Sequence, residues 1–393
     1  MPKRSVFKKS RWMSRVPKKI FLIVASGYAS GPAQALVDFL RMSDLDIIEF
    51  LQHPLVAEGP GEHIQTVFRK NEAPKVKVRR RPNKPPVTYG FDFLTPLYLR
   101  RSDVWVSFNA LATFQGLILR KLGRTKFVIH WSVDFVPRRF SNSFVNWLYE
   151  TLDKRCCEVA DLRVELSNAA LQNRNQHYGL SNKSFAQTLV IPMGFWNDKV
   201  PVCSEQAWQE RRIVFLGHLV DRMGLDVLLL ACKILRSRNI PFQLDIIGGG
   251  PLSDWLQAQI EIDSLEDCVS LKGFVADHAH LASLLATASM GVAPYASDSD
   301  SFTRFADPGK LKDYLGAGLP ILLTDVPPNA AELAQQGGAE IVAHEADAIA
   351  DAIQSLLEDE SEWKKRRLNA LRYREQFDWK IMLNDKLGFL IEN

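Results

Sequence analysis

Three glycine-bearing turns follow apolar runs in this sequence, and each could present backbone N–H groups to a phosphate. Ser26-Gly27-Tyr28-Ala29-Ser30-Gly31-Pro32 follows KKIFLIVAS; its glycines permit a tight turn, and Pro32 suits a first helical position. The spacing is not GxGxxG, which argues against a dinucleotide fingerprint. Gly217-His218-Leu219-Val220-Asp221-Arg222-Met223-Gly224 follows RRIVFL and places His218 and Arg222 where side chains could reach a diphosphate. Gly248-Gly249-Gly250-Pro251, after FQLDII, is a third sharp turn. A fourth constellation lies in FVIHWSVDFVPRRF, where His130 ends an apolar run, Asp134 follows four residues later, and Arg138-Arg139 stand beyond. A histidine there can donate a hydrogen bond and change charge near neutral pH. Asp134 could accept a hydroxyl proton or orient that ring, and paired guanidiniums suit a phosphorylated ligand. The plainer alternatives are a satisfied structural histidine and a solvated turn.

The elements that must position these residues alternate from end to end. KKIFLIVAS reads as a buried strand and SGPAQALVDFLRM as a helix; DIIEFLQ, DVWVSFNA, KFVIHW and QTLVIPMG continue as strands, with LATFQGLILRKLG and NSFVNWLYETLDKRCCEVA as helices. The second half repeats the rhythm through RRIVFLG, FQLDIIG, VSLKG, MGVAPY, PILLTD and AEIVA, each followed by a helical pattern. Such alternation implies parallel sheets built by right-handed crossovers, hence two Rossmann-like domains. The boundary is expected in the polar stretch WNDKVPVCSEQAWQERR, giving domains over 1–199 and 200–375 and a C-terminal helix over 376–393. Ligands of open α/β sheets sit outside the carboxyl ends of the strands, which is where all four constellations fall.

The 393 residues exceed what one core usually organises, and 46% apolar with 24% charged residues excludes a disordered, collagen-like or disulfide-scaffold chain. No apolar run is long enough to span a bilayer. The basic-flanked apolar run at Ile20–Ala25 is short and lacks a clear cleavage site, so it reads as a first strand rather than a signal peptide. Five cysteines, with Cys156 and Cys157 adjacent and no CxxC spacing, fit a reduced compartment and no zinc. Net charge is +4, yet residues 1–199 carry 31 Lys+Arg against 16 Asp+Glu, and residues 200–393 carry 18 against 29. Residues 1–19 hold eight basic side chains and no acid, and residues 69–84 hold eight and one. The asymmetry points to an anionic partner for the first half, or else to a solvated arm and a flexible loop. Arm residues Lys3, Arg4, Lys8, Lys9, Arg11 and Arg15, interleaved with Val6, Phe7, Trp12 and Met13, are similar to an interfacial anchor, so an anionic membrane surface is expected and nucleic acid is not.

Taken together, FLGHLVDRMGLDVLLLA, LDIIGGGP, VSLKGFV, MGVAPY and PGKLKDYLGAGLPILLTDVPPNAAEL resemble, in order and spacing, the second domain of GT-B glycosyltransferases, the retaining family 4 in particular. VIPMGFWND and FVIHWSVDFVPRRF are similar, more loosely, to segments of the first domain. The resemblance implies an α/β GT-B fold, two Rossmann-like doubly wound domains facing a central cleft. A nucleotide-sugar donor would bind mainly to the second and an acceptor mainly to the first, and the resemblance alone implies that the C-terminal helix over 376–393 crosses back to the first domain. It implies donor contacts at Gly217, His218, Arg222, Gly248, Gly249, Gly250, Phe274, Asp307, Lys310 and Leu311, and acceptor contacts at Gly27, Gly31, Arg138 and Arg139. Catalytic roles fall to His130, Asp134 and Asp313. His218 and Met223 stand where relatives carry Arg and Lys, and Phe305 where they carry the first of two glutamates; Asp313 stands at the second. Asp298, Asp300 or Asp307 could replace the first. Same-face attack needs no strong base, and Arg222, Lys310, His218 and the helix N-terminus near Pro308 would stabilise the leaving diphosphate without a metal or cofactor.

The expected function is therefore a hexosyltransferase moving sugar from a nucleotide-sugar to a lipid-linked or polysaccharide acceptor, with retention, in cell-surface glycan assembly. Its expected place is cytoplasmic, peripheral at the inner membrane face. A nucleotide-sugar epimerase of the same fold, and a non-catalytic GT-B binding subunit, are the alternatives.

Overall fold

The computed structural model describes residues 20–28, 30–54, 61–84, 87–94, 99–180, 187–296 and 302–391. The basic arm of residues 1–19, Asp298 and Asp300 lie outside them. The chain divides into one unit of Met1–Ile191 with Met382–Asn393, and a second of Pro192–Ile381. The division thus falls at 191/192 and 381/382, not at 199/200 and 375/376. The polar stretch assigned to a linker packs on the second unit, with Cys203 buried and Trp208 Nε1 donating to the Leu356 carbonyl.

The first unit carries strands β1 (Ile20–Ser26), β2 (Ile47–His53), β3 (Glu62–Arg69), β4 (Lys75–Arg80), β5 (Val104–Ser107), β6 (Phe127–Ser132), β7 (Leu162–Glu165) and β8 (Gln187–Val190). They form one sheet in the order β4-β3-β2-β1-β5-β6-β7-β8. Helices α1 (Pro32–Arg41), α2 (Val87–Leu94), α3 (Ala110–Lys121), α4 (Ser143–Val159) and α5 (Asn168–Tyr178) accompany it. Phe21 to Val24 are wholly buried, as expected of a central parallel strand covered on both faces. Helix starts are set locally: Asn109, Asn142 and Ser167 each accept from a backbone N–H in the first turn of α3, α4 and α5.

Two features depart from the parallel sheet expected. Strands β3 and β4 run antiparallel, so the basic run 69–84 is in part an edge strand rather than a loop. Its Lys and Arg side chains suit an edge, where charge discourages pairing with another chain. Strand β7 was unread because Arg163 and Glu165 interrupt its apolar run; both are buried there as an ion pair.

The second unit has strands β9 (Arg212–Leu216), β10 (Gln243–Ile247), β11 (Val269–Gly273), β12 (Met290–Ala293), β13 (Ile321–Leu323) and β14 (Ala339–Ile341). All pairings are parallel, in the order β11-β10-β9-β12-β13-β14. Helices α6 (Leu225–Ser237), α7 (Ser253–Ile262), α8 (His278–Leu285), α9 (Gly309–Gly316), α10 (Ala330–Gln336), α11 (Ala346–Glu358) and α12 (Glu360–Tyr373) belong to it. Helix α13 (Trp379–Leu387) passes from the second unit into the first. Strand order reverses between β9 and β12, which makes the carboxyl ends of those strands the place for a ligand.

The turn after β9 depends on glycine. Gly224 has φ +67°, and a methyl group there would lie 1.8 Å from the Pro294 carbonyl oxygen. Gly179, at the end of α5, has φ +61° but open space around it. Gly179→Ala is therefore expected to cost only the left-handed backbone penalty of about 1–2 kcal/mol. Gly224→Ala adds a backbone clash, so urea melts should give it a clearly larger loss; equal losses would refute the packing argument.

Candidate active site

At the reversal point of the second unit, Gly217 follows β9 with φ +144°, and a methyl group on it would lie 2.7 Å from Lys310 Nζ. Lys310 is the second residue of α9 and only 9% exposed. Its ammonium lies 4.2 Å from the Phe215 ring centroid and 4.9 Å from that of Tyr295, and 3.4 Å from the Met223 sulfur. Among the described residues no carboxylate pairs with it. Burial, and then the charge of Arg222, bring its pKa down to about 7. A buried cation held by ring faces, beside the second cation Arg222, is a site that calls for an anion.

The surrounding turns are built by close backbone approach. A side chain on Gly248 would collide with the Gly217 carbonyl, and one on Gly250 with Leu219. Gly217 N–H donates to Ile247 O, Leu219 N–H to Gly249 O, and Gly248 N–H to Gly273 O, which locks the three turns together. The 3-10 turn Asp221–Met223 brings Arg222 near Lys310 and Tyr295. His218 is exposed, and Phe274 stands 78% exposed beside Gly249. Tyr314 accepts from Leu216 N–H and donates to Val292 O, fixing the ends of β9 and β12.

Two expected donor contacts are corrected. Asp307 is occupied: Oδ1 pairs with Lys312 at 2.6 Å and accepts from Asn329, and Oδ2 accepts from Met193 N–H. Leu311 has its side chain in the core and its N–H on Pro308 O, so it offers a ligand little. Asp313 keeps some solvent contact and its carboxylate has no hydrogen-bond or ion-pair partner among the described residues; burial raises its pKa to about 7. Tyr295, unremarked within MGVAPY, was the missed residue; its buried hydroxyl has no hydrogen-bond partner among the described residues.

In the first unit the expectation for His130 is revised. The side chain is buried, with Nδ1 2.7 Å from Thr113 Oγ1 and Nε2 3.3 Å from Asp153 Oδ1. It therefore takes the structural alternative, and its orienting carboxylate is Asp153 of α4, not Asp134. Asp134 instead forms a bidentate pair with Arg139 at 2.9 and 3.0 Å, and Arg139 also donates to Tyr149. Both side chains stay more than a third exposed. Asp153 also pairs with Arg174 and accepts from Tyr178 at 2.8 Å. Burial alone would raise its pKa, but Arg174 and the bonds from His130 and Tyr178 hold it well below the ordinary carboxylate range. Arg174 continues to Glu165 at 2.9 Å and to the Asp134 carbonyl. Nothing in the spacing of DKRCC marked Asp153. Arg138 is exposed and donates to Ser141 O and Ser143 Oγ. Gly27 has φ +89° and donates to His53 O, while Gly31 precedes Pro32 at the open N-terminus of α1 with no side-chain cap.

Residues 210–359 match the family described as glycosyl transferases group 1. Over 228 residues the chain is 26% identical to the putative colanic acid biosynthesis glycosyltransferase WcaL of Escherichia coli, 57% of this chain and 53% of that relative, so it spans about half the relative's length. Sucrose-phosphate synthase from Thermosynechococcus elongatus superposes with TM-score 0.67 at 18% identity, over 92% of this chain and 96% of that one. Anabaena Alr3699/HepE, in complex with UDP and glucose, gives 0.64 at 16% identity, over 94% and 98%. Both share the two-sheet α/β architecture. Residues 210–359 thus match a glycosyl transferases group 1 domain, in a chain with the GT-B fold.

Proposed function

We propose that the protein is a retaining glycosyltransferase that moves a sugar from a nucleotide-sugar to a lipid-linked or polysaccharide acceptor in cell-surface glycan assembly. The observation that carries the donor reading is Lys310, an ammonium buried over Gly217 with Arg222 nearby and no carboxylate pairing among the described residues. A diphosphate there would gain charge as the glycosidic bond breaks, and these cations with the N-terminus of α9 would stabilise it. Asp313, with its pKa raised to about 7, would hydrogen-bond a sugar hydroxyl as donor or acceptor. Exposed Phe274 offers a ring face to a nucleobase, and exposed His218 lies in the same loop set. The named relative acts in colanic acid biosynthesis and the named neighbour binds UDP and glucose, which supports a nucleotide-sugar and a surface polysaccharide here.

A membrane-face location is supported by α4. The helix buries Asn146, Asp153, Cys156 and Cys157, and leaves Phe144, Trp147 and Leu148 exposed at i, i+3 and i+4, with Arg138, Lys154 and Arg155 exposed near them. Aromatic groups bordered by cations suit an anionic leaflet. Among the described residues no helix is long and apolar enough to cross a membrane.

Thermal-shift measurements with UDP, GDP, ADP, CMP and dTDP should show one nucleotide series stabilising the protein, by about 2.7 kcal/mol at ~100-fold excess over Kd. No shift at millimolar ligand would overturn the donor reading; stabilisation with neither transfer nor donor hydrolysis would favour the binding subunit. Lys310→Met should abolish the shift yet raise the ligand-free Tm by ~2–4 °C or more, because a buried charge is removed. The pH dependence follows the same group. Its native pKa of about 7 lies below the unfolded value of 10.5, so the unfolded chain binds more protons between them and the ligand-free protein gains stability as pH rises through that window. Nucleotide stabilisation should fall over the same rise, since the anion needs the protonated amine. For the membrane, Trp147→Glu and Phe144→Glu should lower sedimentation with anionic vesicles several-fold; unchanged sedimentation would remove α4 from the interface.

A further inference from the structure

The antiparallel pairing of β2 and β3 sets Leu51 opposite Gln65 and Gln52 opposite Ile64, so the next pair in register is His53 with His63. Both histidines are 2% exposed. Their Nδ1 atoms face each other at 2.8 Å, and Asp92 Oδ1, brought by α2, lies 3.2 Å from one and 3.5 Å from the other. Asp92 Oδ1 is buried with no hydrogen-bond partner among the described residues. Three acceptor atoms thus converge on one point. A single proton between the two Nδ1 atoms leaves the carboxylate oxygen unsatisfied, whereas a cation satisfies all three.

The separations fit a metal. Atoms at these distances lie on a circle of radius about 1.9 Å, within the ~2.0–2.1 Å length of zinc–nitrogen and zinc–oxygen bonds, so an ion just off their plane reaches each. We propose that His53, His63 and Asp92 form a binding site for a divalent transition cation of the zinc class. Two imidazoles and one carboxylate suit such an ion rather than magnesium or calcium. The Asp92 side chain keeps 12% exposure, though its Oδ1 is buried. Both Nε2 atoms are buried without an acceptor among the described residues. The usual outer-shell support is therefore missing there, and affinity should be micromolar rather than that of a tight structural site. The ion would tie β2, β3 and α2 together and, through Gly27 N–H to His53 O and Tyr28 hydroxyl to Glu62 O, hold the turn after β1. It is separate from the donor chemistry of the second unit.

The test uses the full chain stripped with chelator. Zn2+ titrated against a chromophoric competitor should bind one equivalent at micromolar concentration and raise Tm. His63→Gln and Asp92→Asn should each weaken binding at least tenfold and remove the Tm rise. Co2+ in the wild-type chain should give visible d–d bands without a thiolate charge-transfer band, which separates this trio from the buried group of His130, Asp153 and Cys157. The cobalt spectrum stands even where a variant fails to fold. Absence of stoichiometric binding, equal affinity in folded variants, or a thiolate band would each overturn the proposal. None of these readouts depends on glycosyl transfer.

Discussion

An ammonium placed inside a protein without a paired carboxylate is costly, and among the described residues Lys310 of the second unit is in that position. Lys310 is held by the faces of Phe215 and Tyr295, which offer negative quadrupole without a counter-charge. Gly217 must lack a side chain to let it approach, and the locked turns at Gly217, Gly248 and Gly273 keep that backbone fixed. Arg222 adds to the cost rather than relieving it. The chain tolerates the amine by lowering its pKa to about 7, so it can shed its proton near neutral pH, and an anion that bound there would favour the charged form.

The first unit handles buried charge in the opposite way. Asp153, Arg174, Glu165 and Arg163 pair with one another within the core; Tyr178 donates to Asp153, Arg174 donates to Ser132, and His130 lies between Thr113 and Asp153. Removing one member of such a network would leave an uncompensated buried charge, which is strongly destabilising. His130 consequently anchors β6 to α4 and α3, and the groups left open to solvent, such as Arg138, lie on the loop beyond.

Much of the fold was legible because its signals are local. Apolar strand-length runs, glycine turns at their ends and helical periodicity repeat along the chain, and five such loops in the second half agree with a group 1 glycosyltransferase domain. What stayed hidden depends on partners far away in sequence. β7 reads as polar until Arg174 and Asn175 are seen to satisfy Arg163 and Glu165. Asp307 and Asp313 look equivalent in sequence, yet Lys312 and Met193 occupy the first while the second has no such partner. Lys310 stands out in the sequence as a candidate phosphate contact, but the aromatic seat of Phe215 and Tyr295 that holds its ammonium appears only in three dimensions.

The cysteines carry a practical consequence. All five are free and buried, and burial raises each thiol's pKa above its ordinary value. Thiolate is the reactive form, so in the folded state the protein is effectively silent toward maleimides. A single cysteine introduced on an exposed helix can then carry a fluorophore or spin label without replacing any of the five native cysteines.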